Sequence, residues 1–277
     1  MQKKDINGLT EQEFLDKYDP TMFERLSMSV DTVIFSIDTK LQTSNYRKLD
    51  DQKLTVLLVK RNEHPFLEHW SLPGGFIGVR EAPAKAARRV LRNKTGLDDL
   101  YIETLGTYGE PERDPRMRII SSTYLSLLDR DKFKLQASPY VADSAWFEVE
   151  VTDRELVLCG EGQQLVIPYE KAAIRNGKIK TVEYQVTESN PLAFDHGKIL
   201  LDGLMRLRHK IDDTDIVFNL LPEEFTITQL QQIYEIILGG KLLAPAFRRK
   251  IAPKLQETGR YVQEKGHRPS QYFMYKE

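Results

Sequence analysis

The chain has 277 residues, with 40 Lys and Arg against 41 Asp and Glu and 40% hydrophobic residues, the balance of an ordinary soluble protein. At roughly 150 residues per domain this length predicts two domains. No apolar run is long enough to cross a bilayer and the start lacks an apolar secretory core, so a cytoplasmic protein with no membrane partner is expected, and the single Cys159 excludes a disulfide framework or a multi-cysteine zinc site.

Taken in order, residues 9–26 predict a short helix and a connection, a packing arm in which Thr10 caps the helix and Glu13 is the reciprocal capping-box residue. Residues 29–38 (S-V-D-T-V-I-F-S-I-D) and 53–61 (K-L-T-V-L-L-V-K-R) are β-branched and aliphatic, fit for central strands of a buried sheet, with a polar loop at 42–52 between them. His64 and His69 lack a third ligand nearby and read as surface or core-edge histidines. The next stretch, W-S-L-P-G-G-F-I-G-V-R-E-A-P-A-K-A-A-R-R-V-L-R-N-K-T-G-L over 70–97, reads as a strand at 71–78 turning through glycines into a helix at 83–94. Ala84, Ala87, Val90 and Leu91 would face a core and Lys85, Arg88, Arg92 and Lys94 would face out, with Pro83 in the first turn and Gly96 as the left-handed cap.

Residues 97–109 alternate as a strand. The run Arg113-Asp114-Pro115-Arg116 before the apolar 119–127 sets Arg113, Arg116 and Arg118 at the mouth of a further strand, where a solvated turn and a set of planar forks for phosphate or carboxylate are equally open readings. Trp146-Phe147-Glu148 reads as the closing strand of that domain. Residues 156–186 form a β-rich insertion, with strands around 165–168 and 179–186 and an Asn176-Gly177 hairpin turn. Within 191–210 Asp195 can cap a helix with Ile199, Leu200, Leu204 and Leu207 on its apolar face; Asp195-His196 then reads as a cap beside a helix-surface histidine, because no nucleophile accompanies the pair.

From residue 218 the pattern changes. A short strand and turn at 218–222 precede a helix capped by Thr226 that carries Leu230, Ile233, Tyr234, Ile237 and Leu238 and ends at Gly239-Gly240. A second helix at 245–253 turns Phe247 and Ile251 inward and Arg248, Arg249 and Lys250 outward, and 255–276 reads as two strands with a turn at 264–269. Helix, glycine turn, basic helix and hairpin is the layout of a winged helix-turn-helix. Between residues 240 and 276 nine Lys and Arg face two Glu, which suggests a polyanionic partner. A basic helix can simply be solvated, but here the charges sit on the two elements that would touch DNA. The candidate contacts are Thr226, Thr228, Gln229, Arg248, Arg249, Lys250, Lys254, Arg260, His267 and Arg268.

The 70–97 stretch resembles the Nudix box, whose pattern is a Gly, a Glu after five residues, an Arg-Glu pair after seven more, an aliphatic residue, a Glu-Glu pair one residue on, and a final Gly and aliphatic. Gly75, Glu81, Arg89, Leu91, Gly96 and Leu97 fall in register, whereas Val90, Asn93 and Lys94 stand where the three carboxylates would be. Magnesium needs oxygen ligands. Glu81 is the sole acid between Arg80 and Leu97, so a pocket that holds a nucleotide without splitting it is expected, with no catalytic residue, metal or cofactor. The Asp-Pro-Arg loop looks like that of the ADP-ribose branch of Nudix proteins, which implies ligand contacts from Phe76, Glu81, Arg113, Asp114, Arg116 and Arg118.

Together with Phe194-Asp195-His196 and L-L-P-E-E-F-T-I-T-Q-L-Q-Q-I-Y-E-I-I-L-G before F-R-R-K, these motifs make nearly the whole chain resemble the Nudix-related transcriptional regulators, the NrtR family. The resemblance implies an α+β fold, a Nudix-type α/β/α sandwich with a mixed sheet followed by a C-terminal winged helix. It also implies a repressor that binds ADP-ribose, another NAD-related metabolite or a sugar and acts as a homodimer on palindromic double-stranded DNA. The expected divisions are an N-terminal arm at 1–27, a sensing domain at 28–155, the insertion at 156–190, a linker helix at 191–215 and the DNA-binding unit at 216–277. The rival from another class is a working ADP-ribose pyrophosphatase that recruits Glu81, Glu110, Glu112 and Asp114.

Overall fold

The structure, a computed structural model, describes residues 3–40, 51–132, 144–187, 190–262 and 270–276. The N-terminal helix α1 (Glu11–Lys17) has the expected Thr10–Glu13 capping box, and none of its residues is buried. Two long strands follow, β1 (Ser27–Lys40) and β2 (Asp51–Lys60). The glycine-rich stretch is two short strands rather than one, β3 (Trp70–Ser71) and β4 (Gly74–Phe76), because the chain leaves β2 at Leu72-Pro73 and joins β1. Then come α2 (Pro83–Thr95), β5 (Tyr101–Tyr108), β6 (Ile119–Leu127), β7 (Ser144–Val151), β8 (Glu155–Gly160), β9 (Gln163–Asn176), β10 (Ile179–Val186) and α3 (His196–Lys210). The chain ends with β11 (Phe225–Thr226), α4 (Ile227–Leu238), α5 (Ala244–Ile251), β12 (Leu255–Val262) and β13 (Ser270–Tyr275).

The large sheet runs β10-β9-β8-β7-β2-β1-β6-β5, with β3 and β4 at the side. It is mixed: β1 lies parallel to β6 and antiparallel to β2. Strand β7 does not close it. The stretch expected as an insertion supplies β8, β9 and β10, which continue the same sheet through β7. Their apolar side chains, among them Leu156, Leu158, Ile167 and Tyr169, join the main core, so the segment is an extension of the sheet rather than a separate unit.

Helix α2 begins at Pro83 and ends at Gly96 in the left-handed region, as its punctuation predicts. Its buried face is Ala86, Ala87, Val90 and Leu91; Ala84 is exposed. The alternative spacing wins because Ala86 and Ala87 together let the helix lie close to β1, against Val30 and Tyr124. Lys94, expected outside, is half-buried at the rim of a cavity.

Helix α3 is the spine of the molecule. Ile199, Leu200, Leu201, Leu204 and Leu207 are at most 1% exposed, each contributing about 1.5–3 kcal/mol by leaving water. Gly203 lets α3 cross close over β1, where a Cβ would come within 3.1 Å of Val33 Cγ2 and crowd it. One apolar cluster runs from the sheet (Val33, Leu58, Phe147) through α3 into α4 and α5 (Ile233, Ile237, Phe247).

In the C-terminal unit, 216–220 is a 3-10 turn rather than the expected strand; the strand is Phe225–Thr226, which pairs with β13 to give a sheet ordered β11-β13-β12. That order, with α4 and α5 between β11 and β12, is the winged-helix arrangement. The turn between β12 and β13, which carries His267 and Arg268, lies outside the described residues, as does most of the 42–52 loop. Because Leu204 sits in the core common to the sheet and the winged helix, Leu204→Ala should cost about 2–5 kcal/mol. Denaturant unfolding should show one transition moved to lower midpoint; two separated transitions would contradict a shared core.

Candidate functional site

A cavity of about 390 Å³ opens where β1, β3, β4, the N-terminal end of β6 and the start of α3 converge, and α2 presents Lys94 to it. This lies in the size range of pockets for small-molecule ligands. Phe76, Arg113, Asp114 and Arg116 of the expected ligand set line it, together with Asp31, Lys60, Arg61, Lys94, Phe194 and His196.

The floor is built on Asp31. An acidic side chain in the middle of an apolar strand must find partners, and Asp31 has three. Ser121 Oγ donates to it at 2.5 Å, Arg113 Nη2 lies at 3.4 Å and His196 Nε2 at 3.5 Å. Burial alone would push the Asp31 carboxyl up; His196, Ser121 and Arg113 outweigh it and hold it below the usual carboxylate value. The neighbouring strand must carry glycine here, since a Cβ on Gly74 would fall 2.1 Å from Asp31 Oδ1. The Leu72 N–H donates to His196 Nδ1 at 2.9 Å, which assigns the ring proton to Nε2, facing Asp31.

Arg113 is not part of a solvated turn. Its side chain is 3% exposed and forks onto Asp195, Nη2 to Oδ1 at 2.6 Å and Nε to Oδ2 at 2.8 Å. Burial would weaken the guanidinium charge, but the Asp195 and Asp31 carboxylates raise its pKa. Two expectations are thereby corrected. Asp195 stands at the N-cap of α3 but makes no side-chain cap bond, because both its oxygens are taken by Arg113. His196 is a buried wall residue, 3% exposed, rather than a surface histidine.

Asp114 is bound bidentately by Arg116, at 2.7 and 3.0 Å, and its carboxyl is held low against the opposing effect of burial. The Arg116 guanidinium also lies over Phe76 (5.4 Å) and Phe194 (5.8 Å), and Arg61 lies over Phe194 at 4.9 Å, making a stack of rings and cations along one wall. Phe194 holds this place with φ at 56°, a strained backbone for a bulky residue, with its carbonyl accepting from Asn190 Nδ2.

Glu81 and Arg118 are not on the cavity wall. Glu81 accepts from Arg89 Nε at 2.8 Å, from Arg89 Nη2 at 2.7 Å and from the Gly78 N–H at 3.1 Å, which hold its carboxyl down to about 2. Arg89 also donates to the Phe76 carbonyl, so the pair fastens the box loop to α2. Arg118 is exposed and donates to the Gly109 carbonyl. Of the acids that an enzyme could recruit, Glu81 and Asp114 are thus occupied by arginines, and Glu110 and Glu112 are exposed and off the wall.

The Nudix frame calls for a divalent ion on the box helix, and the residues present do not fit one. Val90 is packed in the core, Asn93 is exposed, Lys94 brings an ammonium to the cavity, and no group of three His, Cys, Asp or Glu side chains suited to a metal occurs among the described residues. The wall residues that sequence reasoning missed are Asp31, Lys60, Arg61, Lys94, Phe194 and His196. The signal for Asp31 was present, a lone acid in the run S-V-D-T-V-I-F. His64 and His69 are both exposed.

On the winged helix, Arg248 and Arg249 extend from α5 exposed and without a partner among the described residues. Lys250, Lys254 and Arg260 are exposed or half-buried but paired, with Asp212 (2.7 Å), Asp215 (2.5 Å) and Glu224 (2.9 Å). Thr226 and Gln229 bond each other as a capping box at the start of α4, so their polar groups are committed to the helix end. Thr228 is half-buried.

Comparison with known proteins agrees with this architecture. Residues 46–159 match the model of the NUDIX domain and residues 217–275 that of the NrtR DNA-binding winged helix domain. The chain is 30% identical to the "ADPR responsive transcriptional repressor NtrR" of Acinetobacter baylyi over 98% of its own length and 90% of that protein. Among solved structures, Shewanella oneidensis NrtR complexed with a 27mer DNA superposes with a TM-score of 0.62 at 28% identity, covering 90% of this chain and 93% of that one. A MutT/nudix family protein from Enterococcus faecalis shares the fold, with a TM-score of 0.72 at 24% identity over 97% and 94% of the two chains. A Nudix frame whose metal carboxylates are gone, followed by a winged helix and matched along nearly its full length to such a repressor, places this chain in the NrtR family of Nudix-related transcriptional regulators.

Proposed function

We propose that the protein is a repressor whose cavity senses ADP-ribose or a closely similar nucleoside diphosphate and whose winged helix binds operator DNA. Residues 28–155 would sense, 191–215 transmit and 216–277 bind, with two copies reading the half-sites of a palindrome in the cytoplasm. The observation that carries this reading is the position of α3. Its first residue, His196, lines the cavity, its N-cap Asp195 is held by the wall residue Arg113, and near its far end Arg208 Nε donates to the Ile237 carbonyl in the last turn of α4 at 2.7 Å. A 15-residue helix is a rigid link of roughly 22 Å.

The wall chemistry supports a charged nucleotide over a neutral sugar. Five cations (Lys60, Arg61, Lys94, Arg113, Arg116) stand against three carboxylates (Asp31, Glu63, Asp114), beside two aromatic rings suited to a base. An anion near Arg113 competes with Asp195 for its fork and so bears on the start of α3. A coupling of about 1–3 kcal/mol between the two sites changes operator affinity about 5–150-fold. The same relative's name, responsive to ADPR, agrees with this choice of effector. Catalytic loss follows from the occupied acids and the basic box helix; the Nudix match alone leaves hydrolysis open.

On the DNA side, Arg248 and Arg249, exposed and unpaired among the described residues, would enter the major groove with α5. Lys250, Lys254 and Arg260 can exchange their carboxylates for phosphates at small cost, since exposed pairs contribute about 0–1 kcal/mol. With a duplex enriched from a randomised pool, the affinity should fall with salt at about 0.9 log-log units per phosphate contact. Arg248→Ala and Arg249→Ala should each weaken binding, at least one of them by relaxing sequence preference at one base step, and Lys250→Ala should cost less. A salt-independent affinity would count against the reading. Asp195→Asn frees one side of Arg113. It should leave ADP-ribose bound, as read by calorimetry, yet cut the effector's influence on DNA affinity to less than about 2-fold, outside the coupling range above.

A further inference from the structure

We infer that Lys94 takes the place of the divalent ion in this cavity, its ammonium serving as the fixed counter-charge for the ligand's pyrophosphate, so that binding needs no metal. The inference rests on the reading of the cavity as a nucleoside-diphosphate site. Three positions of the box have lost a carboxylate, and they have different surroundings: Val90 is sealed in the core, Asn93 faces solvent, and Lys94 lines the cavity. The residue that reached the ligand space is therefore the one that gained a positive charge.

Its neighbours on the wall are already committed. Arg113 is held by Asp195, Arg116 by Asp114, and Arg61 by the Pro65 and Glu63 carbonyls. Lys94 has no hydrogen-bond or ion-pair partner among the described residues, it is half-buried, and burial pushes its pKa down. A partly desolvated charge without a counter-ion is costly, and an arriving anion relieves that cost. Lys60 also has no partner among the described residues, but it stands at the end of β2 rather than on the box helix. An ammonium is a point charge that binds phosphate oxygens; unlike magnesium it does not ligate and activate a water. The substitution therefore converts a splitting site into a holding site.

The test is calorimetry on the full chain with two probes, ADP-ribose and inorganic pyrophosphate, in chelator and then in magnesium. Wild-type protein should bind both in chelator, and magnesium should leave affinity unchanged or lower it by complexing the probe. Lys94→Met should weaken both probes about 10- to 100-fold, the order expected for losing a hydrogen bond to a charged group, with a melting temperature equal to or above wild type because an unpaired charge is removed. Lys60→Met should weaken them by less. Lys94→Glu should lose binding in chelator and regain it with magnesium. A wild-type affinity that collapses in chelator overturns the inference, as does a Lys94→Met protein that binds pyrophosphate unchanged or no worse than Lys60→Met. If pyrophosphate binding depends on Lys94 but ADP-ribose does not bind, Lys94 stands and the nucleotide reading falls. If ADP-ribose binds without regard to Lys94, the reverse holds.

Discussion

The buried guanidinium of Arg113, shared between Asp195 and Asp31, is the interaction on which the rest of the site depends. It ties the loop before β6 to the strand at the centre of the sheet and to the N-cap residue of the helix that leads to the DNA-binding unit. Breaking one side of such a buried pair costs about 3–5 kcal/mol, because the remaining charge has no solvent to turn to. The surroundings are arranged to avoid that cost: Ser121 and His196 complete Asp31, and Gly74 leaves room for its carboxylate. A ligand anion entering beside this group can alter the balance between the two carboxylates without dismantling either, which gives an effector a handle on α3.

The proposal of a pocket that holds a ligand and does not split it rests on the side chains of the box. In the box register the helix keeps its entry glycine, its Glu81–Arg89 fastening and its terminal glycine, so the frame and the cavity survive. What has changed is the side-chain chemistry on one helix. Glu81 spends its charge on Arg89 and the Gly78 N–H, and its pKa near 2 reflects that pairing rather than readiness for proton transfer. Asp114, near the mouth, is neutralised by Arg116, which itself lines the wall. The cavity therefore carries more cations than carboxylates, and among the described residues no group of three His, Cys, Asp or Glu side chains is placed to hold a divalent ion.

Much of this was legible in the sequence, for local reasons. Strand patterns, helix punctuation, the register of the box and the loss of its carboxylates depend on residues close together in the chain. The winged helix announced itself through Thr226, Gly239 and the basic face of α5. What failed was long-range. Asp195 looked like a helix cap because its true partner, Arg113, is 82 residues away, and His196 looked like a surface residue because its partners are Leu72 and Asp31. The face of α2 was misread at Ala84 and Lys94 because alanine tolerates either side of a helix, so the apolar pattern fixed the rotation only loosely. Strands β8 to β10 were seen as strands, but an unbroken sheet is a pairing property that no single segment displays.

On the DNA-binding unit, sequence gave the inventory of charges but not their engagement. Of the described cations on α5 and after it, Arg248 and Arg249 have no partner among the described residues while Lys250, Lys254 and Arg260 are matched to carboxylates within the protein, a pattern that ranks the contacts. The central claim, that the cavity binds a pyrophosphate without cleaving it, is tested most directly by phosphorus NMR of ADP-ribose held with stoichiometric protein and magnesium. The account predicts two diphosphate resonances that shift and broaden on binding and persist for hours. The appearance of monophosphate resonances, growing with time and absent without protein, would contradict it.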